Sequence, residues 1–321
     1  MISSRITELL DIEHPIFSAP MAGVAGAKMA GAVSKAGAFG LLGSGYGEQE
    51  WLEHGLSQVD CSSIGVGFIT WRLAQQPELL ELTLDHAPKA IFLSFVGIEE
   101  FAPEIKRRNC LLIAQVQSLN DAKAAVSAGA GIVVAQGTEA GGHGATRATF
   151  PLVPAIVDAL GSVPVVAAGG IADGRGLAAA LMLGTAGVLL GTRFYCSRES
   201  LASAAVISRA VAAGGDDTIR SSVFNVLRGY DWPAPYRLRT VENQMTRAYG
   251  DAIEQLQNDK SVEIPRFKNA ITTADYEIAP VIAGEALDLV DDIPSAADII
   301  RKTVDRASAA LRHATNFEIV A

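Results

Sequence analysis

A single histidine, His143, stands inside the stretch Ala135-Gln136-Gly137-Thr138-Glu139-Ala140-Gly141-Gly142-His143-Gly144. An imidazole can act as base, acid or anion partner around neutral pH. The surrounding glycines offer few side chains against which it could pack as a structural residue, so His143 is the expected catalytic residue, titrating near neutrality. Two other glycine clusters, Ala168-Gly169-Gly170-Ile171 and Leu190-Gly191-Thr192-Arg193-Phe194, have the composition of loops whose backbone N–H groups close on a phosphate. Amides end two apolar runs, at Gln115 and Gln136, and can hydrogen-bond the edge of a heteroaromatic ring or the water at a rim. Glu139 has no second carboxylate at a neighbouring run's end, which argues against paired-carboxylate glycoside chemistry. No His-Glu-x-x-His, Cys-x-x-Cys or nucleophile elbow occurs, which argues against zinc and serine-hydrolase chemistry and leaves no metal expected.

These residues need a scaffold that brings run ends together. Eight short apolar runs recur: Ile16–Ala19, Phe39–Leu42, Ile64–Ile69, Ala90–Val96, Leu111–Val116, Gly131–Gln136, Val163–Ala168 and Gly187–Leu190. Each reads as a strand buried on both faces. Helix-like segments lie between them: Ala27–Ala36, Ser118–Ala128 with Ser118 and Asp121 at capping-box spacing, Pro154–Leu160 and Gly174–Leu183. The alternation predicts an α/β fold, a (β/α)8 TIM barrel. An open dinucleotide-binding sheet is disfavoured, because the first turn reads Ala19-Pro20-Met21-Ala22-Gly23 rather than Gly-x-Gly-x-x-Gly. Ligands of such barrels sit at the C-terminal ends of the strands, where the glycine clusters and His143 fall.

After Phe224 the texture changes. Residues 226–280 contain four of the six tyrosines, Trp232 and a high density of charge. The expected organisation is a barrel over residues 1–224, a mostly helical insertion over 225–280 acting as a lid or substrate subdomain, and closing helices over 281–321. The cluster Tyr230, Trp232 and Tyr236 is expected over the barrel mouth or, equally, at the interface of a homodimer.

The net charge of −9 disfavours binding to nucleic acid or to an anionic membrane surface. No apolar run is long enough to cross a bilayer, and Met1 to Asp11 is too polar for a signal peptide. Three separated cysteines suit a reducing compartment, so a cytoplasmic location is expected.

Taken together, Ala19-Pro20-Met21, Ala135-Gln136-Gly137-x-Glu139-Ala140-Gly141-Gly142-His143, Ala168-Gly169-Gly170-Ile171, Gly191-Thr192-Arg193-Phe194 and the closing stretch from Ala283-Gly284-Glu285 to Arg306 resemble the nitronate monooxygenase family. The resemblance implies FMN bound non-covalently in the barrel mouth. It places Ala19, Pro20 and Met21 along the flavin ring and Gln115 and Gln136 toward the ring or ribityl chain. It brings Gly142 close to the flavin, sets Gly169, Gly170, Gly191 and Thr192 around the phosphate, and makes His143 the catalytic histidine. The implied reaction is oxidation of alkyl nitronates, or nitroalkanes, by O2 to a carbonyl compound and nitrite. An NAD(P)H-dependent FMN reductase acting on quinones or enoyl thioesters shares the barrel and is the alternative. The chain departs from its relatives at Gly65-Val66-Gly67, where they commonly carry Asn, and at Gly144-Ala145-Thr146-Arg147 after the histidine, where Arg-Gly is commoner.

Overall fold

The structure, a computed structural model, describes residues 2–95 and 97–314. Eight parallel strands build the barrel: β1 (Ile16–Ser18), β2 (Gly40–Gly43), β3 (Ile64–Ile69), β4 (Ala90–Ser94), β5 (Leu111–Val116), β6 (Ile132–Gln136), β8 (Val165–Ala168) and β9 (Gly187–Leu190). They follow the order β1-β9-β8-β6-β5-β4-β3-β2, and a bridge between Phe17 and Phe39 joins the two ends. The expected runs and the observed strands differ at their ends by at most two residues, and Val96 of the expected fourth run lies outside the described residues.

Both faces of each strand are buried, which is why the runs are continuously apolar. Phe17, Phe39, Phe92, Val134, Val166 and Leu189 point into the barrel and fill it. Their neighbours Ile16, Ile91, Val133 and Val188 point outward and pack under the surrounding helices. Ser118 caps the helix Leu119–Ala128 by accepting from the Asp121 N–H at 3.1 Å.

The helix expected from Pro154 instead starts at Thr149, and Pro154 lies inside it. Its cap comes from a distance. The Glu139 carboxylate accepts the Thr149 N–H at 2.9 Å and its hydroxyl at 2.7 Å. A carboxylate at a helix N-terminus satisfies an orphan donor and meets the positive end of the helix dipole. No local pattern around residue 149 reveals that partner.

Within the insertion the structure adds a strand to the expected helices, and the expected start at 225 falls inside an element. The helix Val223–Arg228 runs across that boundary. Two strands, β10 (Thr218–Ser221) and β11 (Arg237–Val241), pair antiparallel, and β11 also pairs with β7 (Gly142–Gly144). A second, three-stranded sheet thus stands over the barrel in the order β10-β11-β7, with His143 opposite Leu238. The strand was hidden because it is short and its sequence, Arg-Leu-Arg-Thr-Val, reads as a charged turn. Helices Gln244–Tyr249, Ile253–Asn258 and Lys260–Thr273 complete the insertion.

The chain then returns to the barrel. The helix Ala296–Ala314 packs against Gly174–Met182 and Ala27–Lys35 and buries Ala296, Ile299, Ile300, Val304 and Ala307. Among the described residues, no helix is long and apolar enough to cross a membrane.

Candidate active site

A cavity of about 200 Å³ opens at the C-terminal ends of the barrel strands. Ala19, Pro20 and Met21 line it from the loop after β1. Gln115 and Gln136 line it at the ends of β5 and β6, and Gly142 and His143 from β7. Gly169 and Gly170 follow β8, and Gly191 and Thr192 follow β9. Every residue expected at the site from the sequence therefore borders one space.

The glycine side of this space is shaped by backbone. Gly169 and Gly170 have φ of 104° and 69°, in the region that favours glycine. A Cβ on Gly142 would meet nothing within 4 Å, and one on Gly191 would meet only Ala19, at 3.8 Å. At Gly191 such an atom would stand in the cavity without disturbing the fold, whereas at Gly142, with φ of 78°, any side chain would strain the backbone. The Thr192 hydroxyl accepts the Gly284 N–H at 2.9 Å, which ties the returning chain to the mouth and leaves the hydroxyl hydrogen to donate.

Gln136 accepts through Oε1 from Gln117 at 2.7 Å and from Gln115 at 3.3 Å. Its carbonyl is occupied, so Gln136 offers a ligand its NH2 and Gln115 offers its carbonyl. Gln117 was not singled out from the sequence. The absence of Asn in β3 also has a physical reason. A Cβ on Gly67 would collide with the Pro20 ring, so the chain trades a polar side chain at that point for close packing of the Ala19-Pro20-Met21 loop.

His143 is buried and does have packing partners, contrary to the expectation of a loop too bare to supply them. They arrive from the insertion. Trp232 stacks on the imidazole with ring centroids 3.5 Å apart and planes 12° apart. Asn225 Oδ1 lies 2.7 Å from Nε2. An amide oxygen can only accept, so Nε2 carries the hydrogen and Nδ1 keeps its lone pair. Among the described residues, Nδ1 has no hydrogen-bond partner. Burial lowers the pKa of His143 from 6.5 to about 3. Arg228 and Arg220 push it the same way, against the Asn225 hydrogen bond. The expectation of titration near neutrality is thereby corrected: the imidazole is neutral at neutral pH.

The strand carrying His143 is stapled by Arg220, which the sequence reading missed. Its Nη1 donates to the carbonyls of Gly142, Gly144 and Arg237 at 3.1, 3.2 and 2.6 Å. Its Nη2 donates to those of Thr138 and Ala140 at 2.8 and 2.7 Å. Burial lowers its pKa to about 10, which still leaves it cationic at neutral pH. Arg239 adds a bond to Thr138 at 3.0 Å and an ion pair to Glu285 at 2.8 Å. Gly141 and Gly284 let the two backbones touch, since a Cβ on either would come within 2.5 Å of the other segment. No local signal marks this contact, since Arg220 and Arg239 lie far along the chain from the loop they hold.

The aromatic cluster of the insertion lies over the mouth. Trp232 lines the cavity and meets Phe95 at 4.8 Å, and Tyr236 meets the same Phe95 at 4.8 Å. Tyr230 stacks on Tyr46 from the loop after β2, at 4.2 Å with planes 3° apart. Arg228, also at the cavity wall, lies over the faces of Tyr46 and Tyr230 at 4.8 and 4.9 Å. Tyr46, Asn225 and Arg228 were not expected at the site.

A family model described as nitronate monooxygenase matches residues 3–62 and 69–305. Nitronate monooxygenase npaC of Metarhizium robertsii is 35% identical over 92% of this chain and 91% of its own. A probable nitronate monooxygenase of Staphylococcus aureus is 29% identical over 91% and 94%. Among solved structures, FabK from Thermotoga maritima superimposes with a TM-score of 0.87 at 28% identity, covering 99% of this chain and 100% of that one. Nitroalkane oxidase from Streptomyces ansochromogenes shares the fold, with a TM-score of 0.81 at 24% identity over 97% and 99%.

Proposed function

Since the chain belongs to the nitronate monooxygenase family of flavin-dependent oxidoreductases, we propose that it oxidises alkyl nitronates with O2 to a carbonyl compound and nitrite, with FMN held in the barrel mouth. The residues present fit that cofactor. The open faces of Gly142 and Gly191 leave room that a larger residue would fill, and Gly169, Gly170, Gly191 and Thr192 gather backbone and a hydroxyl where one phosphate can be held. Gln115 and Gln136 supply one carbonyl and one amide donor for a ring edge. Bound there, FMN would supply electron transfer between substrate and O2, which no side chain of this site can perform.

The protein's own part is position and proton handling. The observation that carries the reading is a neutral His143 whose Nε2–H is held by Asn225, leaving Nδ1 as a base at the cavity wall. Nδ1 has the lone pair to take the α-proton of a neutral nitroalkane, though the burial that keeps it neutral also weakens it as a base, and a preformed nitronate needs no such step. Trp232 and Phe95 give one side of the cavity an apolar wall.

The similarity to FabK favours a second reading, an NAD(P)H-dependent FMN reductase acting on quinones or enoyl thioesters. One comparison separates the two. Protein with verified flavin content is assayed in air for nitrite release from propyl-1-nitronate, and anaerobically for bleaching of the flavin by NADH and NADPH. Nitrite release with slow bleaching supports nitronate oxidation. Fast bleaching without nitrite release overturns it in favour of the reductase. FAD in place of FMN on denaturation would overturn the phosphate assignment.

A further inference from the structure

We propose that Arg228 is the group by which the cavity recognises substrate charge, so that the site selects anions and holds the nitronate beside His143. This rests on the nitronate reading above and names how the substrate class is chosen.

Charged side chains are few around the cavity. Of the described residues lining the cavity, Arg228 is the only lysine or arginine and Glu139 the only acid. Glu139 is committed to the Thr149 N–H and hydroxyl and to capping that residue's helix. Arg228 forms no ion pair among the described residues. Its near contacts are the faces of Tyr46 and Tyr230 and a long 3.5 Å bond from Nη1 to the Tyr46 hydroxyl. Aromatic faces orient a guanidinium without cancelling its charge. A half-buried cation in a cavity walled by Phe95, Trp232 and aliphatic groups is weakly screened and attracts an anion strongly.

Asn225 and Arg228 stand three residues apart on the helix Val223–Arg228, so they share a face. That face meets the cavity: Asn225 holds Nε2 of His143, and Arg228 is close enough to His143 to help depress its pKa. A neutral His143 cannot itself supply the positive charge, which leaves the role to the arginine. A planar guanidinium also matches the two oxygens of a nitronate, as it matches those of a carboxylate.

The test uses flavin-loaded Arg228→Gln and Arg228→Lys enzymes. Butyrate serves as an inert anion, its binding followed by perturbation of the flavin spectrum. Steady-state kinetics use propyl-1-nitronate and neutral 1-nitropropane. In Arg228→Gln, KM for nitronate and the butyrate dissociation constant should rise about 10–100-fold, with a smaller effect on kcat and on KM for 1-nitropropane. Lys should restore part of the affinity and the salt dependence, because it keeps the charge but not the planar fork. The wild-type KM should climb with ionic strength, and that slope should flatten in the Gln variant. Unchanged butyrate and nitronate affinity in Arg228→Gln would overturn the proposal. Loss of flavin from Arg228→Gln, restored by Lys, would overturn it too, by assigning the residue to the cofactor. If the Gln variant does not fold, a Lys variant that still binds butyrate with a salt slope like the wild type's supports it, and one without salt dependence overturns it. A wild-type enzyme that binds butyrate through Arg228 yet releases no nitrite sinks the nitronate reading while leaving the anion site standing.

Discussion

The two sides of the cavity are made by different means. On one side, the loops after β1, β8 and β9 present backbone: Ala19-Pro20-Met21, Gly169-Gly170 and Gly191-Thr192. On the other, the insertion presents side chains, with Asn225, Arg228, Tyr230 and Trp232 gathered around His143 and Tyr46. A backbone surface is fixed by the path of the chain and tolerates little change, which suits a cofactor that stays the same. A side-chain surface can be altered one residue at a time without moving a strand, so the choice of substrate belongs there.

Substitutions on each side break this contrast in different ways. The largest effect is expected at Gly191→Leu. The new Cβ would meet only Ala19 and the rest of the side chain would take up space in the cradle, so flavin is lost and activity vanishes with the thermal melt close to wild type. Flavin absorbance after gel filtration checks this, and a fully loaded variant would remove the backbone side from cofactor binding.

Next is His143→Asn. Oxidation of neutral nitroalkane should fall about 10²–10⁴-fold, and oxidation of nitronate much less, because only the former needs a base. In the wild type, nitroalkane activity should show no histidine ionisation between pH 5 and 8, since the imidazole protonates only near 3. The same shift has a stability signature. Between pH 6.5 and about 3 the unfolded chain takes a proton at this histidine and the folded one does not, so stability falls as the pH drops through that window. Denaturant melts across it should show a shallower decline in the variant.

Arg220→Met should cost about 3 kcal/mol by leaving the carbonyls around His143 without their donor, and should loosen the strand that bears it. Urea melts and nitroalkane kinetics together test this; a stable variant of full activity would show that β7 holds itself. The smallest effect is expected at Asn225→Leu, about tenfold on nitroalkane with nitronate less affected, because it releases the imidazole tautomer without removing the base.

The same division governs what could be read without coordinates. The barrel and its glycine loops were legible because their signals are local. An apolar run ending in Gly-Gly needs no distant partner to be recognised. Asn225, Arg228 and Tyr46 were not, because each acquires its role from a residue far away in the chain, and β11 looks like a charged turn until β7 and β10 flank it. His143 shows both halves. Its position was readable from the loop around it, but its charge state was not, since the burial that sets it comes from Trp232 and the insertion. The spacing of Asn225 and Arg228 on one helical turn was the available clue, and it gains meaning only once that helix is seen to face the mouth.

The return of the chain to the barrel bears on the order in which the protein can be made. The helix Ala296–Ala314 covers the groove between Gly174–Met182 and Ala27–Lys35, yet it is synthesised after the whole insertion. While residues 200–290 emerge from a ribosome, the barrel strands are complete but the apolar flank around Ala30, Val33 and Leu177 has no cover. The nascent chain therefore passes through a stage with its barrel strands present and an open outer wall, and the helix Ala296–Ala314 is the latch that closes that wall.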